Sequence, residues 1–262
     1  METVVVRDEN FHDVDGVPFP RVTWILDVGY PKGYAFQQWL KQNGNDADDI
    51  RDRAADSGSL VHELISELLK GGQLFFGMAH QLSDGRTLYV RENEWKKLIA
   101  FCAWYNEFQP DEVLHNEIFL YSKKHTYSGT ADFIVKKDGR TLLLDFKTGK
   151  QMHTHFWAQL AAYAFAYHEM GHGTIDEIGV IHLGTKHKKG YDYQVRQDVD
   201  ECYKLFEAAH LIFRWEKTGE PDELPEPSVH AYPGNLRLEP FAVGQKDKTT
   251  EKKVKKIKLK TK

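Results

Sequence analysis

Apolar residues recur along this chain with two periods, helical and alternating, and their order predicts helices interleaved with strands. Val61, Leu64, Ile65 and Leu68 lie at helical spacing inside Ile50–Lys70, which predicts a helix ended by Gly71-Gly72. Asp56-Ser57-Gly58 predicts a break in it, with Ser59 as N-cap of the second half and Glu63 in the next turn. Tyr34–Gln42 predicts a short helix with Trp39 and Leu40 facing the core, followed by a polar loop over Asn43–Asp49. Glu92–Phe108 predicts a helix with Trp95, Leu98, Ile99, Cys102 and Tyr105 along one face, stopped by Pro110. Upstream, Val4–Val6 is β-like and DGVPFP loop-forming. Arg21–Leu26 reads as a buried strand or the entry to a helix. Phe75–Val90 is punctuated by glycine and predicts a hairpin around Ser83-Asp84-Gly85.

The second half carries the clearest signal. Glu112–Tyr121 reads as a strand. Two further β-rich runs, Ala131–Lys137 and Arg140–Lys147, flank Asp138-Gly139, a strong hairpin signal. If those two residues are the loop, Lys137 pairs with Arg140. Pairing then proceeds one residue at a time on each arm and sets Asp132 opposite Asp145. His155–Met170 follows as a helix capped by Gly171, then Asp176–Leu183 as a buried-type strand. After Gly190, Tyr191–Arg196 closes a second hairpin. Asp200–Lys217 is the last helix, with Cys202, Leu205, Phe206, Ala209, Ile212 and Phe213 inward. Pro221–Pro240 is an irregular covering segment. The alternation predicts an α/β fold with a central mixed sheet flanked by helices.

Composition narrows the class. An apolar share of 41% with 13% aromatics over 262 residues describes a globular chain. The start, METVVVRDEN, has no apolar leader core, and no run approaches the roughly 18 apolar residues of a membrane span. The expectation is a cytoplasmic protein without a membrane partner. Cys102 and Cys202 lack metal-ligand spacing and are expected as buried thiols. The net charge of −4 is unevenly spread, because residues 245–262 hold nine lysines against one Asp and one Glu. That tail is expected to be disordered, a solubilising segment or a non-specific DNA tether, with residues 1–244 as one domain. The remaining body is acidic overall and does not read as a broad nucleic-acid surface.

Two facing carboxylates repel each other, and opposed residues share a face with Cβ atoms roughly 4.5–5.5 Å apart. A divalent cation removes the objection, since hard cations take oxygen ligands. Lys147 lies two residues beyond Asp145 and points the same way. The set suits metal-assisted hydrolysis of a phosphate ester. Taken alone, His62 on the flank of its helix reads as a core or boundary residue. His62-Glu63 is not a zinc-protease pair, because Ser66 occupies the second histidine position. Gln159 and Tyr163 lie one helical turn apart on one face. His168 and His172 do not make a zinc site, because Gly171 separates them at the helix end.

The ordered set Gly58-x-x-x-His62-Glu63, Asp132, Asp145-Phe146-Lys147-Thr148-Gly149 and Gln159-x-x-x-Tyr163 resembles the PD-(D/E)XK nuclease superfamily. More narrowly it is similar to the RecB-like, phage-exonuclease branch, over roughly residues 20–185. Phe19-Pro20-Arg21-Val22-Thr23-Trp24 resembles the N-terminal segment of phage-type members. The resemblance implies a restriction-endonuclease-like αβββαβ core and a metal-dependent DNA exonuclease of phage or bacterial recombination, repair or replication. A structure-specific endonuclease and a non-catalytic nucleic-acid-binding module are the alternatives. It implies that Asp132, Asp145, His62 and the Phe146 carbonyl hold one or two Mg²⁺ or Mn²⁺ ions, and that Lys147 positions the attacking water. Gln159, Tyr163, Gly129, Thr148 and Lys150 would face the DNA, with Glu117 as a supporting or substrate-side group. His153, His155 and the basic loop Lys186–Lys189 are further candidates for phosphate contact. Members with an iron–sulfur cluster use four cysteines, so two imply none. A motor, annealing, recombination or single-strand-binding partner would be a separate chain, and an oligomer is left open.

Overall fold

The computed structural model describes residues 3–149, 151–184 and 186–233. Lys150 and the lysine-rich tail with its predicted boundary at residue 244 lie outside the described residues. Strand β1 (Thr3–Arg7) pairs antiparallel with the last strand, β11 (Val229–Pro233), as a small unit of its own. Asp8–Pro227 form the other unit, which holds every remaining element.

This larger unit opens with a hairpin, β2 (Phe11–Val14) and β3 (Val17–Pro20), then helices α1 (Val22–Gly29), α2 (Tyr34–Asn43) and α3 (Ala47–Leu69). A second small hairpin, β4 (Ala79–Gln81) and β5 (Thr87–Tyr89), precedes α4 (Glu92–Phe108). The central strands are β6 (Glu112–Ser122), β7 (Tyr127–Lys137) and β8 (Arg140–Lys147), then β9 (Glu177–Leu183) and β10 (Tyr191–Arg196). Helix α5 (His155–Glu169) crosses from β8 to β9, and α6 (Val199–Thr218) follows β10. The five central strands form one sheet in the order β10-β9-β8-β7-β6. Only β8 and β9 run parallel, as a βαβ crossover requires. The fold is therefore α/β with a mixed central sheet flanked by helices.

Both faces of the sheet are covered. Ile134 of β7, Leu143 of β8 and Val180 of β9 pack with α1, α5 and α6. Phe133, Leu144 and Ile181 from the same strands pack with α3 and α4. Every residue of β9 is buried, as expected for a strand covered on both sides. Full burial of a ring such as Phe146 or Phe206 contributes about 1.5–3 kcal/mol.

Several expectations are corrected. Arg21–Leu26 is helix entry, and DGVPFP forms much of the β2–β3 hairpin with Asp15-Gly16 at its turn. Residues 44–46 make a 3₁₀ turn and α3 starts at Ala47, running without a break through Gly58, so Ser59 caps nothing. The buried face of α4 is Leu98, Phe101 and Trp104, whereas Ile99 and Cys102 are exposed. Leu40, Leu205 and Ile212 also face outward. In each case a helix carried more apolar residues than its buried face needed, and tertiary contact chose among them. Among the described residues, no helix is long and apolar enough to cross a membrane.

Candidate active site

The β7–β8 hairpin has the register that a two-residue turn dictates. Lys137 pairs with Arg140, and pairing continues to Phe133 with Leu144. There the regular ladder stops, one position short of Asp132 and Asp145. The Phe146 N–H instead donates to Asp132 Oδ2 at 3.0 Å. A carboxylate has taken a main-chain group that the ladder would have used, and this fixes where Asp132 points. Beyond this point β7 remains paired to β6, and β8 to β9 through Asp145–Val180 and Lys147–His182.

A line of polar contacts runs from β8 into α5. Lys147 Nζ lies 3.0 Å from Asp145 Oδ1 and 2.8 Å from Oδ2. It also donates to Gln159 Oε1 at 3.1 Å, and Gln159 Nε2 donates to the Tyr163 hydroxyl at 3.2 Å. The ammonium stands 4.6 Å from the centre of the Phe156 ring, a cation–π contact. His62 arrives from α3, on the other side of the sheet, with Nδ1 3.2 Å from Asp132 Oδ2. Asp145 is 4% exposed, so its charge is held out of water.

Burial and charge set the protonation of this group. Burial pushes the Asp145 carboxyl up to about 6, with Asp132 adding to the rise and Lys147 opposing it. Burial acts the same way on Asp132, but His62, Lys147 and the Phe146 N–H outweigh it and hold that carboxyl below the usual range. Burial would lower His62, yet Asp132 and Asp145 outweigh it and raise the imidazole above its ordinary value. The Tyr163 hydroxyl is pushed up by burial and by the two carboxylates. The two acids thus have separated affinities for a proton, the usual mark of carboxylates sharing one site.

Among the described residues, no three His, Cys, Asp or Glu side chains are gathered into a ready-made metal cage. The donor chemistry still suits a hard divalent ion. Mg²⁺ is commonly held by one or two carboxylates, with water and substrate phosphate supplying the rest. Asp132 and Asp145 provide the two carboxylates. Asp145 Oδ2 is buried without a well-aligned hydrogen bond, with Lys147 Nζ 2.8 Å away. As folded, His62 is the partner of Asp132.

The other predicted residues fall as follows. Gly129 lies against the Tyr163 ring, so near that a Cβ there would stand 2.5 Å from Cε1. Thr148 lies against Gly58 of α3, with Oγ1 3.2 Å from where a Cβ would be. A side chain at 58 would press on the Thr148 hydroxyl, which would have to shift by a few tenths of an ångström. Glu117 sits across from Asp132 in the β6–β7 ladder, between the pairs Asn116–Phe133 and Ile118–Ala131. It is exposed, has a φ of 62°, and is not drawn into the polar line. In the basic loop, Lys189 is paired with Glu107.

Sequence reasoning missed a cleft of about 240 Å³ beside the site, between α1 and α5. Its walls include Tyr30, Lys32, His155 and Phe156, with Lys147 and Gln159 at the site end. It also passed over Arg21, whose Nε is buried without a hydrogen-bond partner. Arg21 bridges to Ser128, next to Gly129, and its charge acts on Tyr163. The only local signal for Arg21 was its place in the Phe19–Trp24 segment.

No curated protein matches the chain. Among solved structures, the crystal structure of SSO0001 aligns at 15% identity and a TM-score of 0.28, covering 43% of this chain and 55% of that one. The family model of the PD-(D/E)XK nuclease superfamily matches residues 31–229, a span that takes in the β7–β8 hairpin, α3 and α5. With two acids and a lysine at the end of a central hairpin and that match over most of its length, the chain belongs to the PD-(D/E)XK nuclease superfamily.

Proposed function

We propose that this chain is a DNA exonuclease dependent on Mg²⁺ or Mn²⁺, acting in phage or bacterial recombination, repair or replication. The observation that carries the reading is the Asp145–Lys147 pair beside Asp132, linked through Gln159 to Tyr163. Asp132 and Asp145 hold the ion together with the Phe146 carbonyl, and His62 either turns to join them or orients Asp132. A divalent ion held there would lower the pKa of a bound water and neutralise charge on the phosphate. Lys147 holds its ammonium where charge develops, and Asp145 and Gln159 fix its direction. Gln159, Tyr163, Gly129 and Thr148 position the strand. The exonuclease choice is supported by the His62 and Gln159-x-x-x-Tyr163 motifs of the RecB-like resemblance.

The test is digestion of linear and closed-circular duplex DNA and end-labelled single strands, with either metal, wild type beside Lys147→Ala. Loss of linear but not circular DNA, abolished in the variant, is the expected result. Cutting of circles would replace the reading with an endonuclease. No cutting of any substrate would leave a binding module.

A further inference from the structure

The cleft between α1 and α5 is built for more than shape. Tyr30 and His155, both in its wall, pack edge to face with ring centres 5.8 Å apart. His155 in turn stacks on His153 at 5.3 Å and contacts Phe156 at 4.7 Å. Tyr30, His155 and Phe156 are each half-buried, so packing holds the rings while part of each stays open. Burial and neighbouring cations push the His155 imidazole down to about 4. Near neutral pH it is an uncharged ring. Lys32 is exposed, paired with exposed Asp27 and 5.6 Å from the centre of the Phe36 ring, surface contacts that exchange readily.

An aromatic wall, a labile cation and an opening onto Lys147 and Gln159 suit a nucleotide. A volume of about 240 Å³ is enough for a base with its sugar. Aromatic walls hold unpaired bases without regard to sequence. We infer that this cleft seats one unpaired nucleotide next to the scissile phosphate, its base against Tyr30 and His155 and its outer phosphate toward Lys32. The strand entering the site is then single or frayed at that position. This inference rests on the nuclease reading of the adjoining carboxylates and names the form of DNA that reaches them.

The test is calorimetric binding of thymidine, thymidine 5′-monophosphate, thymidine 3′-monophosphate and inorganic phosphate to the full chain. Wild type is compared with Tyr30→Ala, Tyr30→Phe and Lys32→Ala, with Tyr89→Ala as a control at an exposed tyrosine elsewhere. At least one mononucleotide should bind wild type more than tenfold tighter than phosphate does. Tyr30→Ala should weaken it about tenfold or more. Tyr30→Phe and Tyr89→Ala should keep the wild-type affinity, and Lys32→Ala should weaken mononucleotides but not thymidine. Should Tyr30→Ala fail to fold, Lys32→Ala and the mononucleotide-to-phosphate ratio still decide. Equal binding of mononucleotides and phosphate, or unchanged binding in Tyr30→Ala, overturns the inference. Digestion by wild type, run in parallel, separates the two readings. Cleavage without mononucleotide binding sinks the cleft alone, whereas binding without cleavage of any DNA sinks the nuclease reading alone.

Discussion

Tyr163 lies directly over the Cα of Gly129, in space that any side chain at 129 would fill. Helix α5 and strand β7 approach this closely only because residue 129 has no Cβ. Tyr163 in turn accepts the Gln159 hydrogen bond that helps to hold Lys147. Gly129→Ala should therefore displace the ring and disturb the polar line behind it. Overpacking of this kind costs about 1–3 kcal/mol. Urea unfolding should show that loss. Nuclease rate measured on the fraction still folded should drop at least tenfold, and an unchanged rate would detach Tyr163 from the site.

Asp145 predicts a pH dependence of opposite sign to an ordinary paired carboxylate. Its folded pKa, about 6, lies above the unfolded value of 3.8. Between those values the folded state binds the extra proton, so stability falls as pH rises through the window. Asp145→Asn removes this titration. With metal chelated, the unfolding free energy of D145N relative to wild type should improve by about 2–3 kcal/mol between pH 4 and pH 7. Paired urea titrations at the two pH values give that difference directly.

The same crowding predicts a response to cations. An ion that binds the folded state alone raises apparent stability with its concentration. Wild type should melt several degrees higher in millimolar Mn²⁺ than in chelator. D145N should lose most of that increment, and differential scanning fluorimetry across a manganese series measures both. An equal increment in the two proteins would place the ion elsewhere.

His210 offers a stability switch remote from the chemistry. It is buried among Tyr127, Phe206 and Phe213, and among the described residues its Nε2 has no hydrogen-bond partner. Burial, with Arg214 and His125 nearby, pushes its pKa down to about 3 from 6.5. Below pH 6.5 the unfolded chain takes a proton that the folded chain refuses, so stability is lost as the solution is acidified. Its share of that loss between pH 7 and pH 5 is about 2 kcal/mol. His210→Leu should remove that share, read as a shallower decline in the urea midpoint over this interval.

The hairpin and its acids were legible in the sequence because a two-residue turn determines every pair that follows it, as Lys137–Arg140 through Phe133–Leu144 show. Helix identity was legible for the same local reason, but helix faces were not. In α4 the sequence offers Ile99 and Cys102 as readily as Phe101 and Trp104, and only packing against Phe146 selects the latter pair. Gly58 and Gly129 look alike in sequence, yet one sits inside α3 beside Thr148 and the other beneath Tyr163. The cleft had no local signature at all, since its walls come from residues 23–32 and 147–159.

The point where the β7–β8 ladder stops has a mechanical meaning. The hairpin is sewn shut at one end by its turn and at the other by a single side-chain stitch, Asp132 to the Phe146 N–H. Each arm is also clamped on its outer flank, β7 by β6 and β8 by β9. Cutting the stitch, as in Asp132→Ala, would let the seam part from the acidic end inward while the turn stayed closed. Asp132, the metal ligand in the proposed function, is thus also the fastener between the two arms.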